Sequence, residues 1–579
     1  MEPVSCDVLV AGSGAAGLAC AFAARDMGLD VIVIEKAATI GGTTAWSGGE
    51  VWVPCNSPQA DAGIADRHED ALRYLTAAAD GRADPARIAA YVSQAAAALD
   101  YFVAKGAMRV ELMADAPDYF DSLPGAHKGG RTLRTVPFDG RGLGPDFRRL
   151  RDPLLAGQIF GGLSVAREDI GHLQAMARSP RSMLHVLRLL VSHGLQRLGG
   201  LHRGARTTMG NAMVARFMAA LRAHGVQIRC AATLTDLVVG TGRVCGAKVT
   251  LPGGVIQITA TRGVVLATGG FSHDPLRQRQ LYPHLAAGGS HFALPPGEVA
   301  GDGLTLARRV GGRVRGKTSD PAAWTAVSRR QRGDTVWHVP HFGDKAKPGI
   351  IAVLPNGRRF ANEAANYHDF CRALIASGAA EAWLIADDRA LRRYGLGRVG
   401  PFPAPLGPHL RCGYLFRGRT LADLARATGI DPAALTRTVD RFNTMAEAGV
   451  DPDFQRGASA FDRAAGDAAC TPNPTMAPLV KGPFNAIRIH PGNLSTFLGL
   501  DTDATGAVLD VAGRPIPGLY ALGADAESVA GGSYPAAGIT LGPAITFAWL
   551  AARAMAEEHM SQGGAAQGDM TFTRSARSA

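Results

Sequence analysis

The sequence predicts an α/β fold for this 579-residue chain: a parallel nucleotide-binding sheet, discontinuous in sequence, with an inserted α+β cap. Three observations predict it. The chain opens with a strand, a glycine turn, a helix and a second strand ending in an acid. Two further apolar segments carrying glycines lie far downstream, at 263–270 and 518–525. Between them the texture becomes proline-punctuated, with short strand-like and helix-like runs, as an inserted domain would be.

The first unit fixes the kind of sheet. Val8, Leu9 and Val10 form a continuous apolar run suited to a strand buried on both faces. Gly12-Ser13-Gly14-Ala15-Ala16-Gly17 follows at once, a helix-like stretch continues through Leu18–Met27, and Val31–Ile34 ends on Glu35. In this context GxGxxG has a mechanism. Gly12 permits the tight turn, Gly14 lets backbone approach a pyrophosphate, and Gly17 allows close helix–strand packing. Free N–H groups at the helix start face the diphosphate. Glu35, followed by Lys36, is placed to accept from an adenosine ribose. This is the Rossmann-like pattern.

The remaining glycine clusters choose the dinucleotide. Gly41, Gly42, Thr43, Thr44, Ser47, Gly48 and Gly49 form a second cluster that a nicotinamide unit does not need. A flavin does, because amides and small hydroxyls must lie along the diphosphate and the isoalloxazine edge. Thr268-Gly269-Gly270 reads as the strand end beside the first strand, and Gly523 with Asp525 as the segment meeting the ribityl chain. Three separated segments in this order point to FAD. No histidine occurs in Gly41–Gly49, so the flavin is expected to be held non-covalently.

Composition bounds the rest. The chain is 46% hydrophobic and 19% charged, a globular balance with ample core. No apolar run approaches the roughly 18 residues that span a bilayer. The first strand starts without a basic-then-apolar leader, so a cytoplasmic location is expected. The eight cysteines are scattered without a CxxC pair, which fits a reducing compartment and predicts no metal site. A net charge of +11 raises nucleic acid as a partner, but the arginines are dispersed and no such module is present, so none is expected. One local exception is 178–201, a basic amphipathic helix. It suits a membrane surface, the rim of a greasy entrance, or burial of its apolar face on the body.

The expected organisation is 1–280 as the first part of the FAD-binding domain and 281–483 as the inserted catalytic cap. Residues 484–560 return to the FAD domain, and 561–579 form a disordered tail.

Four stretches resemble the fumarate reductase/succinate dehydrogenase flavoprotein superfamily, and within it the 3-ketosteroid Δ1-dehydrogenase branch. They are Gly41–Asn56 (GGTTAWSGGEVWVPCN), Asp118–Arg131 (DYFDSLPGAHKGGR), Asn356–Ala364 (NGRRFANEA) and Gly531–Arg553 (GGSYPAAGITLGPAITFAWLAAR). The resemblance implies an FAD-dependent dehydrogenase that introduces a C=C bond beside a ketone. A tyrosine removes the α-proton and the β-hydride goes to flavin N5. The implied substrate is a hydrophobic ketone, a steroid in that branch, and the electron acceptor is unidentified. Tyr534 and the Gly538 N–H match the pair that binds the keto oxygen, and Tyr119 matches the tyrosine that assists proton abstraction. Gly538, Ile539 and Leu541 at the last helix start are assigned to the cofactor.

The rival branch reduces dicarboxylates and needs arginines. This chain has Tyr367 and Tyr534 where that branch resembles an arginine donor and an anion-binding arginine, and Leu494–Phe497 lacks its histidine. Phenols in place of cations suit a neutral ketone. Tyr367 is therefore a candidate site residue. The branch's principal base, a tyrosine, is expected early in the cap. Between Gly311 and Lys347 the chain instead offers Trp324, Trp337, His338 and His341. An FAD-dependent ene-reductase, a Δ4(5α) dehydrogenase and an electron-transfer scaffold are the alternatives.

Overall fold

The computed structural model describes residues 4–154, 158–159, 162–176 and 179–571. Two sheets organise them. The first has eight strands, with Val4–Ala11 between Val31–Ile34 and Gly254–Leu266, and Gln227–Arg229 beyond Val31–Ile34. These pairings are parallel, with Val8–Ala11 opposite Val31–Ile34 on one edge and opposite Gly263–Leu266 on the other. The strand Gly254–Leu266 forks. Its first half pairs antiparallel with Arg243–Leu251, while Val264–Leu266 pair parallel with Leu519–Ala521.

The continuous apolar run of the first strand is explained by what it touches. Val8 and Val10 join one core with Leu18, Phe22, Ile545 and Ala548, whereas Leu9 and Ala11 join another with Val264, Leu266 and Leu304. Alternate residues of a strand face opposite ways, so a strand covered on both sides must be apolar throughout. The helix Ala15–Asp26 packs on the last helix, Leu541–Thr571, and together they cover one face. Propagating an established helix is far easier than nucleating one. The segment expected as a tail from Ser561 is accordingly helical as far as Thr571, and 572–579 lie outside the described residues.

The second sheet belongs to the cap. Its spine is Phe484–Thr496, paired antiparallel with Ala322–Arg332 through residues 490–496 and with Ala382–Ala386 through 485–489. The chain therefore does not re-enter the nucleotide sheet at 484. That strand is the centre of the cap sheet, and the return comes with Ala507–Leu509 and Pro515–Ala521. Its burial gives the reason, since Phe484, Ala486, Ile487 and Ile489 fill the two cap cores. The helix Pro180–Leu198 falls in the region expected from 178–201.

Candidate functional site

The glycine segments meet in space and leave a cradle. Gly12 has φ +113°, and a Cβ there would lie 2.1 Å from the Ala267 carbonyl oxygen. Gly14 differs: a Cβ would meet only the Thr44 hydroxyl at 3.5 Å, so its open side faces a groove shared with Gly42. The helix that starts here has Gly14 as N-cap and no side-chain cap, which leaves helix-start N–H groups for an anion. Side chains knit the walls together. The Ala15 N–H donates to Thr44 Oγ1 (2.9 Å) and the Gly41 N–H to Ser13 Oγ (2.9 Å). Glu35 accepts from the Ser13 N–H and hydroxyl, and from the Ala37 N–H.

The far walls close the same space. Thr268 and Gly270 donate to the Asp525 carboxylate, which is fully buried and raised above the usual range by that burial. Asp525 is thus turned onto the Thr268–Gly270 loop, and Lys36 pairs with Asp302 at 2.8 Å. A cavity lined by Ser495, Thr496, Phe497, Gly523, Ala524, Ile539 and Thr540 continues from the cradle towards the last helix. Bare glycines, uncapped amides and small hydroxyls along one groove fit an FAD diphosphate and ribityl chain. Ser47 and Gly49 brace the Met209–Ala223 helix start, where the Gly210 N–H donates to the Ser47 carbonyl and a Cβ on Gly49 would lie 2.4 Å from Met209, while Gly48 lies against the Glu50 carboxylate.

At the cap side of this groove three phenols converge. The ring centroids of Tyr119 and Tyr367 lie 6.1 Å apart, Tyr119 and Tyr534 6.1 Å, and Tyr367 and Tyr534 5.0 Å. Each arrives by a different route. Tyr534 sits in the glycine-rich turn before the last helix. There Gly538, at φ +92°, lies so close to the strand Glu50–Trp52 that a Cβ would meet Trp52 N at 2.5 Å. The Tyr119 loop is pinned to that turn, because the Tyr119 N–H and the Tyr74 hydroxyl both donate to the Pro535 carbonyl at 2.7 Å. Behind it, Asp118 accepts from Trp52 Nε1 and Arg131, and Arg131 also pairs with Asp66. Tyr367 is the first residue of the helix Tyr367–Ala376, whose N-cap Asn366 accepts from the Asp369 N–H.

The electrostatics distinguish the phenols. Burial pushes Tyr367 well above the ordinary phenol range, and the neighbouring Tyr119 and Tyr534 reinforce the shift. Burial raises Tyr534 too, but hydrogen bonds from Tyr367 and Thr540 pull it back. A phenol that receives two hydrogen bonds is a stronger donor of its own proton. Phe497 at 6.1 Å and His368 at 6.4 Å complete the wall behind Tyr534. Phe461 at 4.3 Å from Tyr119 and Phe342 at 5.0 Å from Tyr367 form the rim.

The cap residues expected to replace the missing tyrosine sit elsewhere. His341 is buried between Asp344 (2.7 Å) and Ser328 (2.8 Å), and His338 leans on the Ala293 carbonyl. Trp324 packs with Tyr282 and His291, and Trp337 lies under Arg330. Tyr367 is the cap tyrosine that meets the other two. Sequence reading missed Ser13 and Thr540, although both lie inside motifs it used. It also missed Phe342 and Phe461, which carry no local signal.

Comparison with known proteins places this geometry. Residues 7–541 match the family model described as FAD binding domain. The 4-oxocyclohex-2-ene-1-carboxylate 5-dehydrogenase of Sinomonas cyclohexanicum is 38% identical over 564 residues, 96% of this chain and 94% of that protein. The 3-oxosteroid 1-dehydrogenase of Mycolicibacterium smegmatis is 34% identical, covering 94% of this chain and 96% of its own. Among solved structures, the 3-ketosteroid Δ1-dehydrogenase of Sterolibacterium denitrificans, in complex with 1,4-androstadiene-3,17-dione, superposes with a TM-score of 0.87. It is 35% identical, with 96% of this chain and 100% of that chain covered.

Proposed function

We infer the reaction from family membership: the chain belongs to the FAD binding domain family, in its 3-oxosteroid 1-dehydrogenase-like branch, and is an FAD-dependent oxidoreductase acting on CH–CH groups. From that premise we propose that it introduces a C=C bond beside the ketone of a cyclic substrate, a 3-ketosteroid oxidised at Δ1. The convergence of Tyr119, Tyr367 and Tyr534 beside Gly538 carries this reading.

The division of labour follows from the hydrogen bonds. The Tyr534 hydroxyl, raised by burial and partly brought back by its hydrogen bonds, donates to the keto oxygen together with the Gly538 N–H. Each such donor stabilises the developing enolate by about 2.7–4 kcal/mol. The α-proton that becomes acidic is taken by Tyr367 as its phenolate, which the transfer converts to the phenol, with Tyr119 hydrogen-bonded beside it. Burial opposes that phenolate, and the start of the helix Tyr367–Ala376 offsets part of the penalty through its dipole. FAD, which Gly12–Gly17, Gly41, Gly42 and Thr268–Gly270 would hold, would supply the two-electron oxidation for loss of the β-hydrogen as hydride. Phe342, Phe461 and Phe497 offer the substrate an apolar wall and no counter-charge. Eight free thiols suit the reducing cytoplasm.

A second reading has one specific support. The 38%-identical relative is named for a single-ring keto acid, so a 4-oxocyclohexane- or cyclohexene-carboxylate is the alternative substrate. Anaerobic titration of the holoenzyme with androst-4-ene-3,17-dione, 4-oxocyclohexanecarboxylate and succinate separates the readings by which compound bleaches the flavin. Tyr534→Phe is expected to bind the active ketone and to bleach 100-fold or more slowly, on the order of the loss of one oxyanion donor. Equal rates in both proteins remove Tyr534 from the chemistry.

A further inference from the structure

The helix Pro180–Leu198 is held to the body through a largely polar side, with Val186 buried and Leu189 and Leu190 half-buried among the polar residues. Ser182, Val186 and His193 are its buried residues, and polar contacts hold that side. His185 Nε2 bonds to Asp169 at 2.8 Å, Ser182 lies 3.1 Å from His172 Nδ1, and Gln196 accepts from the Ala205 N–H at 2.7 Å. Asp169 is held in turn by Arg206 at 2.6 Å. With this face fixed, Leu184, Leu187, Val191, Leu195 and Leu198 are left on the opposite side, between 53% and 87% exposed. Their spacing of three and four residues makes one continuous stripe. Met183 and Ile170 on the preceding helix, Arg167–Ala175, extend it. An apolar stripe turned outward by a polar inner face is the reverse of an ordinary surface helix, and among the described residues nothing covers it.

The charges around the stripe select its partner. From Ile170 to Thr235 the chain has no aspartate or glutamate, while Arg181, Arg188 and Arg197 are all exposed on this helix. Arg181 and Arg188 flank one edge of the leucine stripe. Anionic headgroups above an acyl layer match both the arginine edge and the apolar stripe. No helix among the described residues is long and apolar enough to cross a membrane, so the contact is interfacial. We propose that the holoenzyme docks on the surface of an anionic lipid bilayer through this helix, with Leu184, Leu187, Val191 and Leu195 in the acyl boundary and Arg181 and Arg188 at the headgroups. The proposal rests on the helix alone and stands apart from the reaction assigned above.

Co-sedimentation of the FAD-loaded enzyme with sonicated vesicles tests it. The expected result is binding to phosphatidylglycerol–phosphatidylcholine vesicles that weakens at high salt and is lower on pure phosphatidylcholine. Leu184→Gln/Leu187→Gln/Leu195→Gln and, separately, Arg181→Glu/Arg188→Glu should each reduce partitioning by about tenfold or more. Both variants are expected to keep their flavin absorbance and turnover. Equal partitioning of wild type and the triple variant overturns the proposal. So does a wild-type dimer that the triple variant converts to monomer without vesicle binding, since the stripe would then belong to a second copy.

Discussion

Replacing Tyr367 by phenylalanine isolates the one hydroxyl that the proposed mechanism makes indispensable. The ring keeps its place, because it is held edge-on by Tyr119 (83°) and packed against Phe342 and Tyr534, each with its centroid 5.0 Å away. No cavity forms, so folding should lose only the hydrogen bonds shared with Tyr119 and Tyr534, about 1 kcal/mol each. The chemical cost is larger. Removing a positioned general base costs about 10²–10⁴-fold, which corresponds to roughly 3–5 kcal/mol on the barrier at 1.36 kcal/mol per decade. Stopped-flow reduction of the holoenzyme under anaerobic conditions reads this directly, with the reduction rate and the substrate dissociation constant obtained from one titration. The expected outcome is a rate lower by at least 100-fold, a dissociation constant within a few-fold, and a melting temperature lowered by only a few degrees. A reduction rate within threefold of wild type would refute Tyr367 as the base and return the question to Tyr119.

Three further outcomes follow from the same geometry. Burial holds the Tyr367 phenol well above its ordinary range, so the reactive phenolate grows as pH rises; kcat/KM should climb from pH 6 to beyond pH 9, and a plateau below about pH 8 would contradict the assignment. Gly12→Ala places a Cβ 2.1 Å from the Ala267 carbonyl at a φ of +113° and should yield protein that is purified without flavin absorbance and regains little on adding FAD. In the cap, Glu363 is buried against Arg359 (2.6 Å) and Arg456 (3.0 Å), which hold its carboxyl near 2 against its burial. Its folded pKa lies below the ordinary 4.5, so its stabilisation is present above about pH 4.5 and is lost as the pH falls towards 2. Glu363→Gln should cost about 3–5 kcal/mol at neutral pH, because buried Arg456 loses its carboxylate and Arg359 keeps only Asp451. It should also flatten the acid limb of the thermal-stability profile, and an unchanged limb would exclude Glu363 as its source.

The nucleotide half of the molecule was legible in the chain because its signals are local. A strand buried on both faces must be apolar at every position, and the turn after it must lack Cβ atoms where the backbone passes a carbonyl or a phosphate. Val8–Val10, Gly12, Gly14 and Gly17 therefore announce themselves within a dozen residues. Tyr119 and Tyr534 were legible for a different reason, since each lies inside a stretch that resembles a known family. What sequence could not supply was distance. The cap strand Phe484–Thr496 reads like any buried strand, and only its pairing with Ala322–Arg332 and Ala382–Ala386 assigns it to the second sheet.

Tyr367 shows the same limit at the site itself. It was named as a candidate, but the base was sought among residues 311–347, and only the packing of helix Tyr367–Ala376 brings this phenol against the other two. The outward apolar stripe of Pro180–Leu198 is a third case: periodicity gave the stripe, but which face turned inward was decided by His185, Ser182 and Gln196 finding polar partners at Asp169, His172 and Ala205 on the adjoining segments. Backbone geometry and burial are written into neighbouring residues. The meeting of three phenols from three separate segments is the outcome of long-range packing, which no local pattern encodes.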